Sequence, residues 1–517
     1  MIRKNASADL GAVLLTAIFA VCVFLFAGCG FGLRTDDHSL VDIISGYAAP
    51  GTVIALERNT AVAGDLNVPK GVRILLPKGV VLSVGGNVIS CRCHIFEGAG
   101  TVIVKGGKEP LPVYPEWWGA YNDNTHPALT RAAIQKAIAS ISHGGGTVEL
   151  GKGEYLIAGT LSIVGNNITV SGEGDDSVIR AIGGFSSRLS KDLLKGDAVV
   201  TVKDASGFYP GGVILLRDKL STEGRKNIFI EIGSIDGKDI QLASEYHADD
   251  FLVKEDAAAI VAFPGLFAYD SSNVTLKNFK IDGNKKTVVV PTWQQAAITF
   301  HAVKNSMVNN ITIVDAAYEG ILLVSSKRVT VSGNRIVNST NNGIHLGGSR
   351  KVLVTQNSIT SAGGDGLYFC DDNAGVEVVS NDIGNAGRYG IGGIGSWGRG
   401  DSSPIDRDIR IDGNIISSSG YCGIGIFEAR NVLVAHNRIY NSSQRQPKNA
   451  GIYVDDSEYI KVSHNLTYDN QKTHTQYFGI LEQGPKSRNN TIVDNCAYGG
   501  SVPKAVEIVV AFGLRLD

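Results

Sequence analysis

The 517-residue chain has little charge and almost no net charge. Its 48 basic and 50 acidic side chains balance to −2, whereas a nucleic-acid-binding domain is usually strongly basic, so we expect no nucleic-acid partner. Only 19% of residues are charged, which argues against a coiled coil or a disordered protein. The 63 glycines are well above the usual share of about 7% and favour a turn-rich β protein.

The chain has only 7 cysteines, and their spacing is irregular. Beyond the N-terminal segment an odd number is left, namely Cys91, Cys93, Cys370, Cys422 and Cys496. This set does not predict a disulfide framework. Cys91 and Cys93 lack the second pair that a zinc site requires, and no other metal site is indicated. We therefore expect these cysteines to pack as small hydrophobic side chains.

The first residues predict export. Arg3 and Lys4 precede an uncharged apolar run over residues 10–27, which is typical of a signal peptide. The segment Leu25-Phe26-Ala27-Gly28-Cys29 resembles a bacterial lipobox, which implies cleavage after residue 28 and lipidation of Cys29. Gly30 resembles the pattern of lipoproteins sorted to the outer membrane. A plain signal peptide or an uncleaved anchor is the alternative. The lipid would be the protein's only contact with a membrane.

Internal repetition dominates the rest of the sequence. From about residue 272, short alternating apolar segments, an asparagine, a polar turn and a Gly-Ile or Gly-Leu pair recur. The asparagines are Asn278, Asn310, Asn334, Asn357, Asn381, Asn414, Asn437 and Asn465, at spacings of 32, 24, 23, 24, 33, 23 and 28 residues. A period of 23 to 24 residues with very short strands and no helical pattern predicts a right-handed parallel β-helix.

Stacking of such coils predicts what these residues do. The same position in successive coils lies about 4.8 Å apart, so inward asparagine amides can bond along a ladder and to the bent backbone. We expect the asparagines to hold the fold rather than to act in catalysis. Ile336, Ile359 and Ile383 should stack in the core.

The remaining segments predict a modular all-β chain. We divide it into a signal peptide (1–28), a small N-terminal β stack (29–110), a capping helix with the first coils (111–196), an inserted β subdomain (197–262) and the β-helix coils (263–517). The helix begins near Pro127, and Ile134, Ile138 and Ile141 lie on one face. We expect it to cover the open end of the β-helix core.

Four consecutive motifs resemble the N-terminal signature of the pectate-lyase-like β-helix superfamily, which includes polygalacturonases, polysaccharide lyases and phage tailspikes. The motifs lie at residues 117–120 (WWGA), 132–138 (AAIQKAI), 144–150 (GGGTVEL) and 153–157 (GEYLI). The resemblance implies the fold far more specifically than the reaction. Residues 122–127 replace the acidic element that is usual in the family, so roles tied to those acids do not carry over.

Aligning the coils on the recurrent glycine brings distant polar residues together. The residue before this glycine is Glu319, Asn342 and Asp365 in three successive coils. Two coils separate Glu319 from Asp365, about 9.6 Å, and leaning side chains could reach the roughly 6.5–9.5 Å spacing of inverting glycosidases. Catalytic acids of polygalacturonases resemble this placement. We therefore predict a hydrolase with Asp365 as general acid, Glu319 as base activating a water, and Asn342 and His345 holding the sugar.

A second column, two residues after the glycine, supports a different reaction. It places His345 beside Tyr368, with Asn342 close by. A His or Tyr base, a Tyr acid and an amide bound to a uronate carboxyl are suited to β-elimination or C5 epimerisation. A third alternative is a non-catalytic glycan-binding or adhesin-like surface protein.

Further residues around these columns are candidates for binding an acidic glycan. Aromatic faces stack on sugars and guanidinium groups pair with carboxylates or sulfates, which suggests Trp293, Trp397, Arg388 and Arg399. Turn acids could contact substrate or bind Ca²⁺, although solvated turns are the favoured explanation for them; they are Asp371, Asp372, Glu428, Asp455, Asp456 and Glu482. The sequence predicts no other cofactor. It leaves the glycan, its linkage and the oligomeric state open.

Overall fold

The computed structural model describes residues 39–221, 226–244, 249–261, 265–289, 296–395, 405–445, 449–497 and 508–511. The predicted lipidation site Cys29 and the candidate residues Trp293, Trp397 and Arg399 lie outside these ranges. Within them, no helix has both the length and the apolar character needed to cross a membrane.

The N-terminal part is a small stack of parallel coils, as predicted. A helix over Leu40–Tyr47 precedes three small parallel sheets. Their strands are Val53–Ala55, Thr60–Val62, Leu66–Asn67, Arg73–Leu75, Val81–Val84, Val88–Ile89, Phe96–Glu97 and Thr101–Val104. Alternate residues of these strands point into a core that is continuous with that of the main solenoid, because stacking is the only way that such short coils can bury an apolar face.

The prediction that Cys91 and Cys93 are free core side chains is wrong. They form a disulfide, with their Cα atoms 5.3 Å apart. An odd number of cysteines does not exclude a local pair, since a bond across one intervening residue needs no partner elsewhere in the chain. Within the described ranges, Cys370, Cys422 and Cys496 form no disulfide, and Cys422 is buried.

One helix separates the small stack from the main solenoid. It spans Pro127–Ser140 and follows a short 3₁₀ turn over Pro115–Trp118. Proline at its first position already has the φ angle of a helix. Its buried face, which includes Ile134 and Ile138, packs on Gly153–Ile157 and Leu161–Ile163, while Thr101–Val104 of the small stack also contacts it. The helix therefore covers the end of the main core, as predicted.

Two long parallel sheets form the main solenoid in the described part of the chain. The larger sheet contains Gly146–Glu149, Gly153–Ile157, Ile168–Ala181, Thr275–Asp282, Lys304–Asn309, Thr312–Val314, Lys327–Ser332, Arg335–Val337, Leu353–Thr355, Ser358–Thr360, Ala374–Val379, Asp382–Gly384, Arg407–Asp412, Ile415–Ser417, Arg430–Ala435, Arg438–Tyr440, Glu458–Ser463, Leu466–Tyr468, Thr491–Val493 and Cys496–Ala497. The eleven-stranded sheet, which carries the candidate site, contains Leu161–Ile163, Leu266–Tyr269, Ile298–His301, Ile321–Val324, Ile344–Gly347, Leu367–Cys370, Ile391–Gly395, Ile424–Phe427, Asn449–Asp455, Gln476–Gln483 and Ile508–Ala511.

The core between the sheets is built of stacked aliphatic side chains. Ile336, Ile359 and Ile383 are directly paired in register and are almost fully buried, as predicted. Each fully buried side chain of this size contributes roughly 1.5–3 kcal/mol of hydrophobic stabilisation. Because the strands are parallel and in register, the alignment of one such row of isoleucines also fixes which residues of successive coils lie side by side elsewhere in the same strands.

The asparagine ladder is confirmed from Asn334 onward. The backbone N–H of Asn334 donates to Oδ1 of Asn357 (3.0 Å), and the backbone N–H of Asn357 donates to Oδ1 of Asn381 (3.0 Å). The chain of bonds continues through Asn414, Asn437 and Asn465 to Asn495. Each member is buried or half-buried, and its side chain satisfies backbone groups of the preceding coil at the bend.

Asn278 and Asn310 were assigned to this ladder incorrectly. Asn310 is exposed and donates to Oδ1 of Asn278. The ladder position in these coils belongs to the next residue: Ile311 donates its backbone N–H to Asn334, and Phe279 is fully buried one coil earlier. The motif alone did not reveal this shift of one residue.

The inserted subdomain is a separate antiparallel sheet with its own small core. Its strands, in spatial order, are Ser186–Arg188, Ala258–Val261, Val213–Arg217, Ile228–Asp236, Asp239–Leu242 and Val199–Thr201. The subdomain thus begins before residue 197, because its first strand, Ser186–Arg188, pairs with its last strand, Ala258–Val261. It stands beside the first coils of the eleven-stranded sheet.

The ladder yields a stability prediction. Asn381→Ala removes the acceptor of the Asn357 backbone N–H and the donor to Val354 O. Leaving such buried groups unpaired costs about 1–3 kcal/mol, so we expect a lower midpoint in thermal unfolding. Asn67→Ala is the matched control, because Asn67 is an exposed strand asparagine outside the ladder. Equal midpoints for the two variants would contradict the role assigned to the ladder.

Candidate active site

The strand register confirms both predicted columns. Ile321 pairs with Ile344 and Ile344 with Leu367, so the residues two places before them, Glu319, Asn342 and Asp365, occupy equivalent positions. In the second column Leu322 pairs with His345, and His345 pairs with Tyr368. The parallel sheet therefore brings residues that are 23 residues apart in sequence onto one surface patch.

The first column is buried, contrary to expectation. Glu319, Asn342 and Asp365 are each only 1% exposed. Oε2 of Glu319 accepts the backbone N–H of Asn342 (3.0 Å), and Oδ1 of Asn342 accepts that of Asp365 (2.8 Å). The two carboxylates and the amide thus form a second ladder along the solenoid, in which each side chain holds the next coil.

This ladder corrects the roles predicted for hydrolysis. The expected arrangement needs a water between two solvent-facing carboxyl groups, yet the oxygens of Glu319 are occupied by Asn341, Asn342 and His345. The amide of Asn342, predicted to hold a sugar, is engaged within the ladder: its Nδ2 donates to Glu319 and its Oδ1 accepts from Asp365 and Arg388. The sequence correctly predicted that Glu319, Asn342 and Asp365 are adjacent, but it did not predict the direction in which their side chains point.

Glu319 instead positions His345. Nδ1 of His345 lies 3.2 Å from Oε1 of Glu319, and the imidazole side chain is 17% exposed. A carboxylate accepts from a ring N–H, so this contact assigns the proton to Nδ1 and leaves Nε2 as the basic nitrogen. A buried carboxylate that orients a histidine in this way produces a general base with a defined tautomer.

Tyr368 lies beside His345 as predicted. Their ring centroids are 4.9 Å apart in an edge-to-face arrangement. Burial is the main cause that raises the pKa of Tyr368 to about 12, so its hydroxyl carries a proton at neutral pH. The ring occupies the space where a Cβ on Gly393 would stand. This glycine has a φ of 69°, a conformation that other residues rarely adopt.

Arg388 completes the patch. Its Nε is 3.1 Å from Oδ1 of Asp365, its Nη2 donates to Oδ1 of Asn342 (3.3 Å), and its guanidinium carbon lies 5.5 Å from the ring centroid of Tyr368. The side chain is 39% exposed, so a cation faces solvent beside His345 and Tyr368. Residue 388 was a candidate from sequence, but its link to Asp365 was not predicted.

A group of aromatic rings that the sequence analysis missed continues this surface. The Tyr389 ring covers Gly392 and Gly425, whose missing side chains make room for it. It contacts Tyr421 and Phe427 edge-to-face, with centroid distances of 5.4 and 5.7 Å. Gly392 and Gly425 follow Tyr368 in the second column, so repeated glycines there were the available signal for a ring lying across the column.

The other predicted binding residues lie apart from this cluster or serve local structure. Asp372 forms ion pairs with Arg350 and Arg407, and exposed Asp371 has its Oδ2 3.2 Å from the Cys370 sulfur. Glu482 accepts a hydrogen bond from Asn490. Among the described residues, no three His, Cys, Asp or Glu side chains come together as a metal site.

Comparison with known proteins identifies the fold. The family described as the right handed beta helix region matches residues 253–383 and 372–505. The chain is a right-handed parallel β-helix. No curated protein matches its sequence significantly.

Solved structures similar to this β-helix are remote in sequence. The A-module of mannuronan C-5 epimerase AlgE4 from Azotobacter vinelandii is 14% identical, with coverage of 75% of this chain and 98% of that one and a TM-score of 0.48. The tailspike gp61 of Pseudomonas phage phi297 is 14% identical, with coverage of 74% and 72% and a TM-score of 0.38. These likenesses carry no information about the reaction.

The buried carboxyl of Asp365 predicts a pH dependence of stability. Burial is the main cause that raises the pKa of Asp365 from 3.8 to about 6, although the Arg388 cation opposes the shift. Between these pH values the folded protein holds a proton that the unfolded chain has lost, so this group makes stability fall as pH rises from about 4 to about 6.

Asp365→Asn should remove this component, because an amide fits the ladder as Asn342 does. We expect the difference in thermal midpoint, variant minus wild type, to grow from pH 4 to pH 7. Asp382→Asn, at an exposed aspartate, is the control. A difference that is constant across this range would contradict the assignment.

Proposed function

We propose that this protein is a polysaccharide lyase that removes the C5 proton of a uronate by β-elimination. The observation that carries the proposal is the contact of His345 Nδ1 with buried Glu319, next to the protonated Tyr368 hydroxyl and the half-exposed Arg388 guanidinium. A surface column that runs along a solenoid suits an extended polymer. The guanidinium of Arg388 is suited to a polymer that carries carboxylates.

Each group has a distinct task in this reaction. Arg388 pairs with the uronate carboxylate and so makes the C5 proton easier to remove. Nε2 of His345 takes that proton, the C5–H electron pair forms the C4–C5 double bond, and the C4–O4 bond breaks. Tyr368 donates its proton to the leaving oxygen. Proton exchange with water then restores neutral His345 and protonated Tyr368.

The arrangement of the pair favours elimination over epimerisation. His345 and Tyr368 project from adjacent strands on the same face of one sheet, so they reach the same face of a bound sugar. Removal of the C5 proton and protonation of O4 from one face is a syn elimination. Epimerisation requires a proton to return to C5 from the opposite face, where neither group lies.

Hydrolysis is less compatible with the geometry. An inverting glycosidase needs room for a water between its two carboxyl groups, and the carboxyl groups of Glu319 and Asp365 are buried within a hydrogen-bonded ladder. A purely adhesive role would leave the His345–Glu319 contact without a purpose.

The cellular setting forms part of the proposal. The N-terminal signal-like segment and the lipobox ending at Cys29 predict an exported protein attached to the cell envelope by its lipid. A lyase in that position would meet extracellular or periplasmic polysaccharide.

The proposal is tested on polymannuronate, polyguluronate and polygalacturonate with purified protein. We expect ultraviolet absorbance from the new conjugated double bond on at least one polymer. His345→Ala and Tyr368→Phe should each lower kcat by about 10²–10⁴-fold, and Arg388→Ala should raise KM as well. Thermal unfolding checks that each variant is folded.

Controls separate the alternatives. Tyr440→Phe and His436→Ala change the same residue types on the larger sheet and its turn, and activity should be retained. New reducing ends without ultraviolet absorbance would overturn elimination in favour of hydrolysis. Uptake of solvent deuterium at C5 without cleavage would assign epimerisation. Binding without any product would support an adhesin.

A further inference from the structure

A pocket lies between the inserted subdomain and the eleven-stranded sheet. Its volume is about 510 Å³, which is within the usual range for sites that bind small molecules. Its floor includes Phe267, Thr299 and Leu322 of the second column, and its wall includes Val213 and Phe229 of the inserted sheet. Both structural units are therefore needed to form it.

The pocket is continuous with the candidate site. Its floor residues follow one another in register, from Phe267 to Thr299 to Leu322, and Leu322 pairs directly with His345. Leu322 lies one coil from His345 and Phe267 lies three coils from it, at about 4.8 Å per coil. A sugar polymer running along the column would thus place the next few units in the pocket.

The described residues that line the pocket are mostly apolar, and the one arginine among them is already paired. Its Arg131 is only 5% exposed and donates to both carboxylate oxygens of Glu231, at 2.8 and 2.9 Å, while its Nε donates to Thr160 O. The two charges therefore neutralise each other. Arg388, five coils away from Phe267, differs in that its side chain is 39% exposed and can therefore reach an anion in solvent.

We propose that this pocket binds an acyl ester group carried by a sugar one to three units from the reacting uronate. An acyl ester is apolar and uncharged, so its burial against Phe267, Phe229 and Leu322 is favourable. The hydroxyl groups of Thr299 and Ser162, which also line the pocket, can contact the ring that carries it. This inference rests on the proposed function, since it names the substrate class of that same groove.

The test measures binding rather than catalysis. His345→Ala protein is titrated calorimetrically with oligomers of the three uronate polymers named above, before and after chemical O-acetylation. We expect at least one acetylated oligomer to bind about fourfold more tightly than its unmodified form, as burial of a methyl-sized apolar group would give.

Two further variants in that background localise the effect. Thr299→Phe fills the pocket and should abolish the preference for acetylated oligomers. Thr330→Phe is the matched control, because Thr330 has a similar half-buried position on the larger sheet, away from the pocket. The preference should persist in it, and both variants should unfold at similar temperatures.

Failure of this inference is distinguishable from failure of the proposed function. Equal affinity for both forms, no binding of any acetylated oligomer, or a preference that survives Thr299→Phe would overturn the acyl pocket. Wild-type protein that shows the acyl preference but forms no unsaturated product would overturn only the lyase. Elimination without any acyl preference would overturn only the pocket.

Discussion

Parallel, in-register pairing between coils is the constraint on which the structure depends. A slip of one residue would turn every inward side chain outward, so the stacked isoleucines and the amide ladder together fix each coil's position. The bond from the Asn357 backbone to Asn381 is one of a series that holds the bends of successive coils from Asn334 to Asn495. Because register is fixed, any chemistry that needs several groups must be assembled along columns of equivalent residues.

The same constraint explains why two predicted catalytic acids are buried. The glycines after Glu319, Asn342 and Asp365 allow the next coil to approach so closely that a Cβ at Gly320 or Gly343 would collide with a carbonyl oxygen. The preceding side chains therefore turn along the column and bond to the neighbouring backbone. Satisfying those buried amides consumes most of the hydrogen-bonding capacity that a solvent-facing acid would offer to a substrate.

Periodicity in the sequence was sufficient to predict the fold, the columns and the pairing of His345 with Tyr368, because these follow from register alone. It could not predict side-chain direction, so the Glu319–His345 contact was missed. It also misassigned Asn310, where a single-residue offset leaves the motif intact but moves the amide to the surface. The pocket lined by Val213 could not be predicted from periodicity, because it depends on how an inserted sheet packs beside the solenoid.

The solenoid and the inserted sheet differ in how freely their residues can change, and this difference affects how such a protein acquires specificity. Residues of the second column, such as Leu322 and His345, are paired to their neighbours on both sides and cannot move without disturbing adjacent coils. The wall formed by the inserted sheet carries its own core, so substitutions at Phe229 leave the solenoid register intact. Reaction chemistry is thus held by the rigid repeat, while recognition of substituents can vary in the inserted sheet at little cost to the fold.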